Sequence, residues 1–348
     1  MDVVYSPAQT LHHAFELDGG QLVVSWESPI RAVRVAERLA ESHVMVEPDP
    51  FDRDLAEQVH DAEYVEFLTL CWDRWSAEGR GATQAMGFTW PATGLRDVRP
   101  GTLDGQLGYY SFAADCSIGP DTWNSVAISA AAAQTAARLV AERTETEPDR
   151  PAATFALCRP PGHHAGRRQF GGYCYLNNAA IAAQALRNRA FERVAVLDID
   201  YHHGNGTQSI FYERADVAFC SIHADPVEEF PYFSGFADET GSDHGDGHNL
   251  NLPLPPGTGP SEWMATLDRA IDWVRDHDPD AVVISAGVDT HENDPISTFK
   301  LPTPVYPTIG TRLASLALPT VLVMEGGYAT DELAENVAGL LHGFESFG

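Results

Sequence analysis

Four short, nearly unbroken apolar runs mark the second half of the chain, and each ends in polar or glycine-rich sequence. They span residues 193–200, 217–222, 281–289 and 320–328. Runs of this length read as strands, and their lack of polar alternation means that both faces are buried. A helical stretch at 261–277 separates two of them, and Ala-rich segments at 126–143 and 178–190 add helices earlier. Buried strands alternating with helices specify an α/β fold with a central, mostly parallel sheet and helices on both faces. Ligands of such sheets bind beyond the C-terminal strand ends. Here those ends carry Asp200, His202, Asp289 and Tyr328, so the pattern points to one site.

Composition narrows the partners. The 348 residues carry 22 basic and 50 acidic side chains, a net charge of −28, and Lys300 is the one lysine. Phosphate neutralisation needs the opposite balance, which excludes a general nucleic-acid binder and disfavours an anionic membrane surface. An acidic, Lys-poor surface fits a high-salt cytoplasm, and a GC-rich genome gives much the same bias. No apolar run approaches the ~20 residues of a membrane span. The segment Met1–Ser6 lacks the features of a signal peptide, so a cytoplasmic location is expected. Five cysteines without C-x-x-C spacing argue against a disulfide framework. Residues 144–151 read as a polar turn. Residues 82–107, rich in Gly, Pro and Thr, read as a long loop of the kind that is usually functional.

Asp200 and His202 leave a strand two residues apart and can face one point. Carboxylate oxygen and imidazole nitrogen suit a divalent metal such as zinc, and Asp289 can supply a third ligand. Three protein ligands leave a position open for water and substrate. His163-His164 lie in R-P-P-G-H-H-A-G as two metal ligands, two proton-transfer groups or a solvated pair; His12-His13 read as solvated. Asp198 and Asn205 are candidate orienting partners. Tyr328, after what reads as a flexible glycine pair, is either a packed aromatic or a donor to a developing oxyanion.

The segments R-P-P-G-H-H-A-G, F-G-G-Y-C-Y-L-N-N-A-A, L-D-I-D-Y-H-H-G-N-G-T-Q, S-A-G-V-D-T-H-E-N-D-P and M-E-G-G-Y occur in this order. Together they resemble the zinc-dependent histone deacetylase superfamily, most of all its bacterial acetylpolyamine amidohydrolases. The resemblance implies an arginase/deacetylase-like catalytic domain over residues 1–348 and removal of acetyl groups from small amines such as acetylated polyamines. It implies zinc at Asp200, His202 and Asp289, with Fe2+ or Co2+ as possible substitutes. His163 and His164 match a tandem general base and acid, with Asp198 and Asn205 their partners, and Tyr328 matches an oxyanion donor. Gly172 matches a glycine whose carbonyl holds the substrate amide N–H, and Tyr173 and Phe230 match aromatic tunnel walls. Asp104 and Asp115 match acids that attract a distal ammonium, whereas Arg167-Arg168 would repel a polycation if they lined the mouth. Structural K+ is implied at Asp198, Asp200, His202, Ser221 and Ile222, and again at Phe211, Arg214 and Val217. The 82–107 segment resembles an insertion that builds a homodimer and narrows the mouth.

Three other readings compete. A protein lysine deacetylase keeps the chemistry, but a restricted mouth excludes folded proteins. A binuclear ureohydrolase of the arginase type needs further carboxylates where this chain has Gly204 and His291. An inactive binding module conflicts with the presence of every expected catalytic residue.

Overall fold

The computed structural model describes residues 1–148, 150–189 and 191–346. Positions 149 and 190, within the expected polar turn and at the end of the expected 178–190 helix, lie outside the described residues, as do 347 and 348. The strands are β1 (Asp2–Val4), β2 (Phe15–Asp18), β3 (Gln21–Val24), β4 (Val44–Val46), β5 (Ala153–Ala156), β6 (Val194–Asp198), β7 (Val217–Ala224), β8 (Asn249–Leu254), β9 (Ala281–Ala286) and β10 (Thr320–Met324). Eight of them form one sheet in the order β4-β1-β5-β10-β9-β6-β7-β8, and every pairing in it is parallel. β2 and β3 form a separate antiparallel hairpin.

Side-chain alternation along the strands builds two cores. Val194, Val196, Val283 and Val321 pack with helices Ala62–Ala77, Thr122–Thr146 and Asn178–Arg187. Ala195, Leu197, Ile284 and Leu322 face the other way, onto helices Ile30–Leu39, Pro260–Asp276, Tyr306–Ala314 and Leu333–Glu345. The four expected strands and three expected helices are all present, with ends shifted by a few residues. All five cysteines are free and buried. Among the described residues, no helix is long and apolar enough to cross a membrane.

Two local expectations fail. The 82–107 loop ends early, because a helix begins at Leu103 and runs to Tyr109. Thr102 caps it by accepting the Gly105 N–H. Its glycines disguise it in the sequence, yet Gly108 is required: a Cβ there would lie 1.6 Å from the Thr89 carbonyl oxygen. His12, expected in solvent, is buried, edge-on to Tyr175 and with Nδ1 3.1 Å from Thr122 Oγ1.

Candidate metal centre and catalytic residues

β6 and β9 are adjacent and in register, with Asp198 opposite Ser285. The chain leaving each strand therefore emerges at one place. Asp200, His202 and Asp289 converge there, all buried, with one ligand atom from each lying within 4.8 Å of the others. His202 Nδ1 is 3.2 Å from Asp289 Oδ2 and 3.5 Å from Asp200 Oδ1. Burial and the charge of Asp200 push the Asp289 pKa up to about 7. Burial opposes ionisation of Asp200 too, but His163 and His202 outweigh it and hold its pKa below the usual range. Two crowded buried carboxylates and one imidazole nitrogen are a donor set that fits a divalent cation. Gly204 and His291 do not extend it to a second metal. A Cβ at Gly204 would lie 2.2 Å from Asp198 Oδ2, and His291 Nε2 is turned towards Thr303 Oγ1 at 3.2 Å.

The His163 and His164 rings lie 4.0 Å apart, on a turn closed by the Ala165 N–H donating to the Gly162 carbonyl. His163 Nδ1 is 2.9 Å from Asp198 Oδ2, and His164 Nδ1 is 2.7 Å from Asn205 Oδ1. The partners give the rings opposite character. Burial works against charge on His163, but Asp200 and Asp198 push its pKa up to about 10. His164 has only an amide beside it, so burial and its neighbours His163 and His202 hold its pKa well below the ordinary value. Glu325 fixes the turn from beneath, accepting the N–H groups of Gly162 at 2.7 Å and His163 at 3.1 Å.

Tyr328 is buried, with its ring edge-on to Tyr173 and under the Arg31 guanidinium, 4.6 Å from the ring centroid. Burial raises the phenol pKa well above its ordinary value, so it stays protonated. The glycine pair before it is not the loose hinge expected. The Gly326 N–H donates to Asp200 Oδ2 at 2.7 Å, and the Gly327 carbonyl accepts from Arg31 Nε at 2.6 Å. A Cβ on Gly326 would lie 2.3 Å from Asp289 Oδ2, so this glycine serves close approach. Arg31 is itself anchored by Glu27, whose Oε1 also meets Arg159 Nε at 3.0 Å.

The substrate-facing expectations divide. Gly172 takes φ +59°, and Tyr173 follows at φ +63°. Phe230 stands edge-on to His164 at 5.0 Å and stacks on Phe112, which the sequence did not single out. Asp115 is not a free acid at an open rim: both its oxygens accept the Gly172 N–H at 2.9 Å. Burial raises its pKa. Buried Glu16, also missed, sits alongside, because the Leu17 N–H donates to the Ala114 carbonyl and the Phe15 N–H to Ser117 Oγ. Asp104 is partly exposed and paired with Arg80 at 2.7 Å, so an ammonium would have to compete with that guanidinium. Arg167 lies 3.9 Å from Asp61, while Arg168 bonds to Asp97 and to the Tyr109 hydroxyl. Of the residues matched to potassium, Asp198 and Ser221 face each other across β6 and β7, with Ile222 next along β7. The Phe211 carbonyl accepts the Arg214 N–H at 2.9 Å in the turn that leads to Val217.

The profile of the histone deacetylase domain matches residues 25–344, and the chain belongs to that family. Within it, the chain is 46% identical over 347 residues to acetylpolyamine amidohydrolase 1 of Pseudomonas aeruginosa, covering 98% of each. It is 43% identical over 346 residues to the acetylpolyamine amidohydrolase of Mycoplana ramosa, covering 99% of each. The crystal structure of acetylpolyamine aminohydrolase from Burkholderia pseudomallei superimposes with a TM-score of 0.91 at 39% identity, over 100% of this chain and 99% of that one.

Proposed function

We propose that the chain is a metal-dependent amidohydrolase that removes acetyl groups from acetylated polyamines, with residues 1–348 acting as one catalytic domain. The observation that carries this reading is the convergence of Asp200, His202 and Asp289 beside the paired His163 and His164. The donor set suits Zn2+, and Fe2+ or Co2+ can take the same ligands. When bound, such an ion polarises the acetyl carbonyl and lowers the pKa of a water. His164 donates Nδ1–H to Asn205 Oδ1, which leaves its Nε2 lone pair to take the proton of the attacking water. His163, oriented by Asp198, completes the pair that protonates the leaving amine. The Tyr328 hydroxyl keeps its proton and donates a hydrogen bond to the oxyanion as it forms. The Gly172 carbonyl receives the substrate amide N–H, between the rings of Tyr173 and Phe230.

A cationic amine fits the surroundings. Glu16 and Asp115 place two carboxylates next to Gly172, and the net charge of −28 draws cations to the protein. The whole-chain relatives named for acetylpolyamine hydrolysis support the same substrate over a protein lysine. Structural K+ beside the paired Asp198 and Ser221 and in the Phe211–Val217 turn belongs to this reading. So does a homodimer, supported by exposed Phe88, Leu95 and Val98 in the 82–102 loop and by the apolar hairpin face of Leu17, Leu22 and Val24. Steady-state kinetics on acetylputrescine, acetylcadaverine, acetylspermidine and an acetyllysine peptide test the substrate. A higher kcat/KM for the amines supports the assignment, and about a tenfold preference for the peptide, ~1.4 kcal/mol, overturns it.

A further inference from the structure

Asp294 has no part in the chemistry above, yet it is a buried carboxylate. It follows Asp289 by five residues, in the loop after β9, and is 6% exposed. Its position is costly unless its oxygens are occupied. Oδ2 accepts the N–H groups of Tyr328 at 2.7 Å and Ala329 at 3.2 Å. Oδ1 accepts the N–H of Ile296 at 3.1 Å, which ties the carboxylate to its own loop.

The opposite side of the 325–329 segment is held as firmly. The carbonyls of Glu325 and Gly327 both accept from the Arg31 guanidinium at 2.6 Å. One element thus holds the carbonyls, a second holds the N–H groups, and the tyrosine sits between them. A Tyr side chain has two rotatable bonds, so once its backbone is fixed and its ring lies against Tyr173 and Arg31, the place of its hydroxyl is set.

We infer that Asp294 is a positioning residue for Tyr328: by holding the N–H groups of Tyr328 and Ala329 it fixes where the phenol points. The inference rests on the reading of Tyr328 as the oxyanion donor. The hydrogen bonds of the carboxylate go to the backbone of Ile296, Tyr328 and Ala329, so it acts through the tyrosine segment. Its loop also carries Asp289, so the distance between the candidate metal centre and the phenol is set by one short stretch of chain.

The test is a double-mutant cycle on the metal-loaded enzyme with acetylputrescine. Asp294→Ala should lower kcat by about 30–100-fold with KM changed less than about threefold, because the donor matters most as the oxyanion forms. Asp294→Asn keeps one oxygen for Tyr328 and Ala329, and should recover kcat to within about tenfold of the wild type. In a Tyr328→Phe background, either Asp294 substitution should lower kcat by less than about threefold further. Metal content should stay unchanged, while amide hydrogen exchange of the segment containing Tyr328 and Ala329 should quicken in Asp294→Ala. If Asp294→Ala does not fold, the Asn variant and its double mutant decide alone. Unchanged kcat in the Asp294 variants beside a crippled Tyr328→Phe overturns the positioning role and spares the tyrosine. An undiminished Asp294 effect in the Phe background overturns it as well. Near-normal kcat in Tyr328→Phe itself overturns the oxyanion reading instead.

Discussion

Gly172→Ala adds a single methyl group at the point where, in the proposed mechanism, substrate binding meets proton transfer. A Cβ built on Gly172 would lie 2.2 Å from His164 Cδ2, whereas ordinary contacts begin near 3.4 Å. The imidazole would have to retreat by about 1.2 Å, or the Gly171-Gly172 backbone would have to yield. A shift of that size disrupts the 2.7 Å contact between His164 Nδ1 and Asn205 and displaces Nε2 from its proposed working position. A misplacement of about 1 Å in a catalytic group costs on the order of a hundredfold in rate. The φ of +59° adds about 1–2 kcal/mol against any residue with a Cβ. Gly172→Ala should therefore lower kcat on acetylputrescine by about 10²-fold while the protein stays folded and keeps its metal. Urea unfolding should show a loss larger than the backbone cost. In a His164→Ala background the collision partner is gone, so the stability loss should shrink to about 1–2 kcal/mol. Turnover within about threefold of the wild type would mean that the His164 ring is not required where it lies, and would refute the reasoning.

Exhaustive chelation should abolish turnover, and Zn2+ should restore it; full activity with no metal by elemental analysis would end the metal reading. A hydroxamate should inhibit the loaded enzyme and lose its binding when Asp289 is replaced by Ala. Burial depresses the His60 pKa to about 4, and its ring accepts the Asn177 N–H at 2.9 Å, so protonation breaks a buried bond. Because the unfolded chain takes up that proton near pH 6.5, the stability advantage of the wild type over His60→Gln should be complete above that pH. It should fall by ~1.4 kcal/mol per unit as pH drops from 6.5 towards 4, and a constant advantage in urea titrations would contradict this. Light scattering at micromolar concentration in high salt should give a dimer mass, and Phe88→Glu with Leu22→Glu should give a monomer; a monomeric wild type would refute the interface.

Where chain neighbours build the structure, the sequence was readable. The run 193–200 shows a strand and the carboxylates at its end together, and the adjacent strand contributes Asp289 in the same manner. The His163-His164 pair and its partners were legible because each residue type suits only a few roles. Asp294, Arg31 and Glu16 were not. A carboxylate or guanidinium buried against backbone looks, in one dimension, like surface charge, and Arg31 meets Gly327 from 296 residues away. The Leu103–Tyr109 helix was masked by Gly105 and Gly108, whose absent side chains answer to contacts with Pro100 and Thr89. His12 was misplaced because nothing local tells a pair of histidines that one will meet Tyr175 and Thr122.

The strand order has a bearing on synthesis. β10 lies between β5 and β9, although it is the last strand of the sheet in the chain. Until residues 320–324 leave the ribosome, the nascent protein can form no more of this sheet than two pieces, β4-β1-β5 and β9-β6-β7-β8, each with an open edge that invites foreign strands. The second piece already contains the strands that lead to Asp200, His202 and Asp289, so the proposed metal ligands can gather before the fold is closed. β10 then joins the two pieces, and the residues that follow it bring Tyr328 into place. The same insertion that removes the sticky edges delivers the proposed oxyanion donor, so an unfinished chain can gather the proposed metal ligands but lacks the tyrosine.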